Sequence, residues 1–264
     1  MVAYMRKATK EAKVHTSWVN PNEEYDEAVE KFARQALARK DANPFLDDLL
    51  AFQHRVAFFG QFNSLSQILL KLTAPGVPDT YQGTELWDLS LVDPDNRRQV
   101  DYAARRAALD DLKPQTEGDC ASLASQLVES SADGRIKLYV IQRALNFRRA
   151  HAQLFSDGDY VALETRGAKQ DSVCAFARTL GEENIVIATP RLVVGLSGGA
   201  EHVPLGDGVW KDTWLALPNE QPGREYRNVF TGETLAVSAR ESAAGLGLAT
   251  LFSQFPVALL ERIG

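Results

Sequence analysis

An α+β protein, helical in its first half and antiparallel β in its second, is what two features of the chain predict. Apolar residues recur at helical spacing up to about Ala150, and from about Leu154 they recur in short β-like runs separated by glycine-containing turns. The expected division is therefore a helical domain over 1–152 and an antiparallel, sandwich-like β domain over 153–264. A third feature is chemical. Between Ala74 and Asp101 the chain crowds Glu85, Trp87, Asp88, Asp93, Asp95, Asn96, Arg97 and Arg98 into one loop.

Element by element, Ala3 to Lys13 is built of good helix formers, and His15 to Asn22 interrupts it. Asn20 followed by Pro21 reads as an N-cap with proline at the first helical position, and Glu23, Glu24 and Asp26 place acid where the helix dipole favours it. Tyr25, Val29, Phe32 and Ala36 mark that helix's apolar stripe. Asn43 and Pro44 repeat the start signal. Leu46, Leu49, Leu50, Val56, Phe58 and Phe59 then give a helix apolar on more than one face, which predicts deep burial. Gly60 is expected to loosen or end it, with a further short helix over Ser64 to Leu72. After a turn at Pro75 and Gly76, Val77 to Tyr81 is expected to be the one strand of this half. Val100 to Leu112 reads as a mixed-charge helix, Pro114 to Asp119 as a polar linker, and Cys120 to Glu129 and Arg135 to His151 as two more helices. Strands are expected at Tyr160 to Leu163, Ser172 to Ala177, Asn184 to Thr189, Lys211 to Leu217, Tyr226 to Phe230 and Val257 to Arg262. Thr231 and Gly232 form a turn candidate, and the glycines of Leu196 to Gly208 suggest a mobile loop.

The chain has 264 residues, 45% hydrophobic and 24% charged, the balance of a soluble globular protein. Its formal net charge of -6 argues against nucleic-acid binding, where clustered positive charge is needed. No apolar run approaches the ~20 residues that span a bilayer, and the N-terminus has no apolar signal region. Cys120 and Cys174 stand in no metal or redox spacing and read as thiols of a reducing cytoplasm. The four histidines, His15, His54, His151 and His202, are scattered and make no metal constellation. Asp93, Asp95 and Asn96 hint at a calcium loop, but the sixth and twelfth places hold Arg98 and Ala104 instead of glycine and glutamate. No metal and no cofactor are expected.

Helix, short strand and then a chemically loaded loop is how an α/β barrel builds its functional rim. Carboxylate, amide, guanidinium and indole together suit a polyhydroxylated ligand, whose hydroxyls take hydrogen bonds while an indole covers the apolar sugar face. Three readings stand for Glu85, Asp88, Asp93 and Asp95: they supply a catalytic carboxylate pair, they shape a sugar subsite, or they hold the rim by pairing with Arg97 and Arg98. Spacing within a loop cannot establish the ~5 Å separation that a retaining carboxylate pair needs. Tyr81 and Gln82, at the expected strand end, are candidates for either subsite or support. Trp18 either stacks on a sugar or anchors the helix junction, with His15 as a capping or core residue, and His54 reads as a core residue. Trp210 and Trp214 either form a sugar platform or pack on one face of a strand.

The run ILLKLTAPGVPDTYQGTELW, Ile68 to Trp87, resembles the last barrel strand of the α-amylase family of glycoside hydrolases with its flanks, and Asp93 to Arg98 resembles the loop after that strand. Within that family AKVHTSWVNPN, Ala12 to Asn22, is similar to the maltooligosyltrehalose synthases. So are the residues from Phe147 to His151, Leu154 with Phe155, and Gly158 to Tyr160. The resemblance implies the C-terminal part of a (β/α)8 barrel followed by a β domain. It also implies an isomerase that turns the reducing-end α-1,4 linkage of a maltooligosaccharide into an α,α-1,1 linkage. It places the nucleophilic Asp, the acid/base Glu and the third catalytic Asp in motifs on earlier strands, which this sequence does not carry. The expectation is thus a fragment, inactive alone and without catalytic residues of its own. Its substrate-binding candidates are Tyr81, Gln82, Glu85, Trp87, Asp93, Asp95, Asn96, Arg97, Arg98 and Trp18. A carbohydrate-binding module complete in itself, or part of another α-glucan hydrolase or transferase, are the alternatives. The expected partners are a maltooligosaccharide and the missing N-terminal barrel part, and no nucleic acid or membrane. Faces made for that part, over Leu46 to Phe59 and Ile68 to Leu72, are expected to be under-covered and to drive self-association.

Overall fold

The computed structural model describes residues 1–39, 42–115, 118–240 and 243–263. Contacts divide the chain into two units, one of Met1–Ala57 with Asp88–Val100, the other of Phe58–Trp87 with Asp101–Gly264.

In the first unit, helices α1 (Val2–Ala12) and α2 (Glu23–Ala36) pack together, and α3 (Pro44–Thr73) begins. Lys10 and Asp26 form an ion pair of 2.8 Å between α1 and α2 with both side chains about 5% exposed. That hydrogen-bonded ammonium holds the Asp26 carboxyl below the usual carboxylate range. The cap of α2 is Asn22, whose Oδ1 accepts from Tyr25 N, and not the expected Asn20. The reason is local: Asn20 N donates to Ser17 Oγ, and Asn22 N to Thr16 Oγ1, so the turn uses the first asparagine and the helix takes the second. Asn43 caps α3 as expected, accepting from Leu46 N.

Helix α3 runs unbroken for 30 residues, through the expected break at Gly60. A mid-helix glycine costs about 1 kcal/mol, and the burial of Phe59 just before it and of Phe62, Leu65, Leu69 and Leu72 beyond it outweighs that. Burial along this helix divides the expectations: the deep burial expected from Leu46 is found only at Leu46 and near Phe59, and the under-coverage expected at Ile68 to Leu72 is absent. The run Ile68 to Leu72 is covered, with Leu69 fully buried, whereas Phe45, Leu50, Phe52 and Val56 are exposed, Phe52 at 65%. His54, expected in the core, is also exposed.

In the second unit α4 (Tyr102–Gln115), α5 (Cys120–Glu129), α6 (Arg135–Ala150) and α7 (Ala152–Asp157) follow. Asp119 caps α5 through Ala121 N and Ser122 N. The linker expected from Pro114 starts later, because α4 continues to Gln115; Thr116 and Glu117 lie outside the described residues. Segment Val77 to Tyr81 is no strand: it has no regular structure, and Val77 is fully exposed. A strand needs a neighbour to satisfy its N–H and C=O groups, and none pairs with it among the described residues.

The β region has two antiparallel sheets among the described residues. The first orders β1 (Asp159–Ala162), β3 (Val173–Leu180), β4 (Glu183–Pro190), β10 (Ala258–Ile263), β6 (Glu225–Asn228) and β7 (Thr234–Ala236). The second orders β2 (Thr165–Arg166), β5 (Trp214–Ala216), β9 (Ala244–Gly247) and β8 (Ser238–Ala239). Short helices α8 (Val193–Leu196), α9 (Gly206–Trp210) and α10 (Leu248–Leu251) fill the connections. Alternation sorts the first sheet's side chains. Phe176, Ile185, Ile187 and Leu259 share a core with Leu65, Leu69, Tyr139 and Leu154 of the helices. Ala177, Val186, Ala188 and Leu260 share another with Leu215 and Leu246 of the second sheet. The first sheet therefore lies between a helical layer and the second sheet. Trp210 ends α9 fully buried, its indole N–H on Pro204 O at 2.8 Å, so it is a packing residue and not part of a strand-borne sugar platform.

Candidate functional site

Loop Asp79–Trp87, in the second unit, is fixed from both sides. The first turn of α4 supplies two clamps. Tyr102 donates its hydroxyl to Gln82 Oε1 at 2.9 Å, and Arg105 donates Nε to Glu85 Oε2 at 2.9 Å and Nη2 to Gly83 O at 2.5 Å. Gly83 takes φ +88°, a conformation costly for any residue with a Cβ. Thr84 Oγ1 donates to Tyr81 O at 2.7 Å and closes the turn.

At the far end of this loop Trp87 is half-buried. Its indole N–H donates to Ser131 O at 2.8 Å, and Lys137 Nζ lies 5.7 Å from the ring centre while donating to Leu86 O. A Cβ on Gly134, at φ +83°, would come within 3.0 Å of Trp87 N, so this glycine admits the loop's close approach. Trp87 thus anchors the loop to the helical layer. Tyr81, in contrast, is 46% exposed.

Between loop and helix lies a cleft of about 270 Å³, lined by Ser64, Gln67, Ile68 and Lys71 of α3, by Asp79, Tyr81 and Thr84, and by Lys137 of α6. Lys71 Nζ donates to Asp79 O at 3.2 Å. Hydroxyl, amide, ammonium and phenol around one concavity can hydrogen-bond a hydroxylated ligand. Of the residues singled out from sequence, only Tyr81 lines this cleft. Gln82 and Glu85 stand in the same loop, turned to α4. Sequence reasoning missed Ser64, Gln67, Lys71, Lys137, Tyr102 and Arg105. A signal existed for three of them: Ser64, Gln67 and Lys71 recur at i, i+3 and i+7, a polar stripe on an otherwise apolar helix.

The remaining candidates fall in the first unit. Loop Asp88–Val100 is knitted to itself. Ser90 N donates to Asp88 Oδ1, Leu91 N to Asp95 Oδ2, and Arg98 Nη2 to Ser90 Oγ. Arg97 grips Asp93 through two parallel bonds of 2.9 and 2.6 Å, which holds the Asp93 carboxyl below the usual range. Arg98 pairs with Asp95 at 3.4 Å, and a single 3-10 turn, Asp95–Arg97, sets Asn96 between them. The carboxylate–guanidinium pairs expected as one of three readings are present, and they are exposed, with the Arg97 side chain 72% accessible. Trp18 is 60% exposed with Lys10 Nζ 5.4 Å from its ring centre, and His15 is also exposed, its ring 5.0 Å from that of Tyr25. Among the described residues no group of His, Cys, Asp and Glu is arranged to hold a metal ion, and no helix is long and apolar enough to cross a membrane.

Fold and geometry thus define an α+β protein with antiparallel sheets and a cleft rich in hydrogen-bonding groups. No protein-family model matches the chain. Its similarity is to the maltooligosyltrehalose synthases. It is 37% identical over 262 residues to a maltooligosyl trehalose synthase of Mycobacterium tuberculosis, a match covering 98% of this chain and 28% of the relative. A maltooligosyltrehalose synthase structure from Arthrobacter ramosus superposes with a TM-score of 0.74 at 31% identity, over 99% of this chain and 30% of that one. A further maltooligosyl trehalose synthase crystal structure gives 0.68 at 26% identity. The chain spans less than a third of the length of the relatives it matches.

Proposed function

We propose that this chain is the C-terminal portion of an enzyme that isomerises the reducing-end α-1,4 linkage of maltooligosaccharides to an α,α-1,1 linkage, in the cytoplasm. The observation that carries the reading is 37% identity sustained over 98% of the chain, joined to a TM-score of 0.74 for a synthase structure. In this reading residues 1–152 complete a (β/α)8 barrel supplied mainly by other parts of the polypeptide, and 153–264 form its β domain. A nucleophilic carboxylate outside this chain would open the terminal linkage, and the released glucose would turn in its subsite and re-attack. Exclusion of water would decide isomerisation over hydrolysis. Tyr81, Gln82, Glu85 and Trp87, with Asp93, Asp95, Asn96, Arg97, Arg98 and Trp18, would form or support the walls of that subsite.

The chain alone is expected to leave maltopentaose unchanged, whereas a longer protein carrying the remaining two thirds of the relatives' length converts it to a non-reducing product. Loss of the nucleophile removes the covalent route altogether. A reducing-sugar assay beside chromatography checks both arms. Non-reducing product from the chain alone, or shortened oligosaccharides as the main product of the longer protein, overturns the reading.

Phe45, Leu49, Phe52 and Val56 fall at helical spacing on one face of α3, and three of the four are exposed. In the same reading this stripe is made to be covered, and the chain by itself is expected to self-associate through it. Sedimentation velocity should show a dimer or larger species that Phe52→Glu disperses. A monomer at every concentration counts against it.

A further inference from the structure

The β region holds a second cleft, on the face of the first sheet that looks toward the second. Register places its floor. Val161 stands opposite Ala177, which stands opposite Val186; Thr179 stands opposite Asn184; and Arg262 stands opposite Tyr226. All line one concavity of about 250 Å³, roofed by Leu217, Pro218, Asn219 and Glu220 just after β5. Pockets for drug-sized ligands run to roughly 300–1,000 Å³, so this one suits a single ring and not a chain.

Its two ends differ. Val161, Leu163, Ala177, Val186, Leu217 and Pro218 make an apolar wall. At the other end Glu220, 6% exposed, gathers donors on Oε1: Asn184 Nδ2 at 3.2 Å, the Tyr226 hydroxyl at 2.9 Å and Arg262 Nη1 at 3.3 Å. Arg224 approaches Oε2 at 3.9 Å. The carboxylate is therefore matched by guanidinium charge, and the polar end offers no net negative charge to attract a cation. What it leaves over is acceptor capacity. Asn184 Oδ1 has no hydrogen-bond partner among the described residues and is shielded from solvent. A buried carbonyl oxygen left bare is costly; Asn184 lines the cleft, and a shift of its amide that bares Oδ1 there lets a neutral O–H donor satisfy it. An apolar face beside a hydroxyl donor is the chemistry of a pyranose ring.

We propose that this cleft binds one glucosyl unit of an α-glucan, as a sugar site of the β region separate from the Tyr81 cleft. The cleft's own chemistry asks for a neutral hydroxylated ring; the choice of glucosyl rests on the proposed function. Titration of this chain with maltotriose, followed by amide resonances, should shift the Asn184 side chain and the backbone of Leu217 to Glu220, with a Kd on the order of 1 mM. Myo-inositol, a ring with hydroxyls on every carbon, should bind about tenfold more weakly or not at all. Asn184→Leu removes the acceptor at similar volume, and Val161→Phe fills the cleft from its edge strand; each should abolish the shifts. Val161→Phe alters a partly exposed residue, so it remains informative if Asn184→Leu fails to fold. Absence of shifts at these residues, shifts that survive Val161→Phe, or inositol binding as tightly as maltotriose would each overturn the proposal. The titration reads binding without turnover, so its failure is distinct from failure of the proposed isomerase reading.

Discussion

Arg178→Met is expected to lower the unfolding free energy of the Phe58–Trp87 and Asp101–Gly264 unit by about 3–5 kcal/mol. Arg178 projects from β3 into the helical layer with 1% of its surface exposed, and its hydrogen bonds among the described residues go to no carboxylate. Its guanidinium donates instead to five main-chain carbonyls. They are Thr73 O at the end of α3, Leu154 O and Phe155 O in α7, Gly158 O at 2.7 Å, and Asp159 O at the start of β1. Burial pushes its pKa down, yet an arginine keeps its charge in a protein. One side chain thus gathers carbonyls at the ends of α3 and α7 and at the start of β1, adding to the bond that Leu154 O already takes from Gly158 N, and ties two helices to the sheet. Methionine fills the space but withdraws all five donations, leaving Leu154 O only its bond from Gly158 N. Arg178→Lys should lose less, since an ammonium can serve some of the acceptors but cannot span the fork. Urea denaturation, with the slope checked for constancy, measures both variants. A shift below about 1 kcal/mol for Arg178→Met, the size of an ordinary surface change, would show the carbonyls to be served by water.

In the proposed isomerase reading, Arg105→Ala placed in the longer protein is expected to cost about 100-fold in kcat/KM with a fall in Tm of only a few degrees. The Arg105 side chain is 20% exposed and that of Glu85 33%, so the pair contributes modestly to stability. Its geometric effect is larger. It fixes Gly83 and Glu85 together, and with Tyr102 on Gln82 it sets the loop that carries Tyr81 over the Lys71 cleft. Arg105 is a positioning residue, so the loss should appear mainly in kcat, with Arg105→Lys restoring little because one ammonium cannot hold both acceptors. Steady-state kinetics on maltopentaose beside a thermal melt decide it. A Tm that collapses while the surviving folded enzyme keeps its kcat would make the clamp structural only.

Local signals placed most elements. Asn43 capped α3, Asp119 lay where α5 begins, and the alternating runs of the second half became β1, β3, β4, β6 and β10 to within a few residues. Short strands such as β2, β7 and β8 were missed, because two or three residues carry no measurable period. The loop chemistry was legible as residue types. Its partners were not: Arg105 and Tyr102 look like ordinary surface residues of a mixed-charge helix until α4 is set beside the loop.

The sequence by itself determined the α+β class, the helix starts, the antiparallel second half and the likeness to maltooligosyltrehalose synthases, because caps, turns and hydrophobic period act within a few residues of one another. Tertiary structure decided the rest. It carried α3 through Gly60, since burial of Phe59 and Phe62 exceeds one glycine's cost. It withheld a strand from Val77 to Tyr81, since a strand exists only with a neighbour to pair it. It turned Arg178 into a clasp on five carbonyls that lie up to 105 positions away in the chain. Such outcomes depend on which surfaces meet across long separations, and no local pattern encodes that meeting.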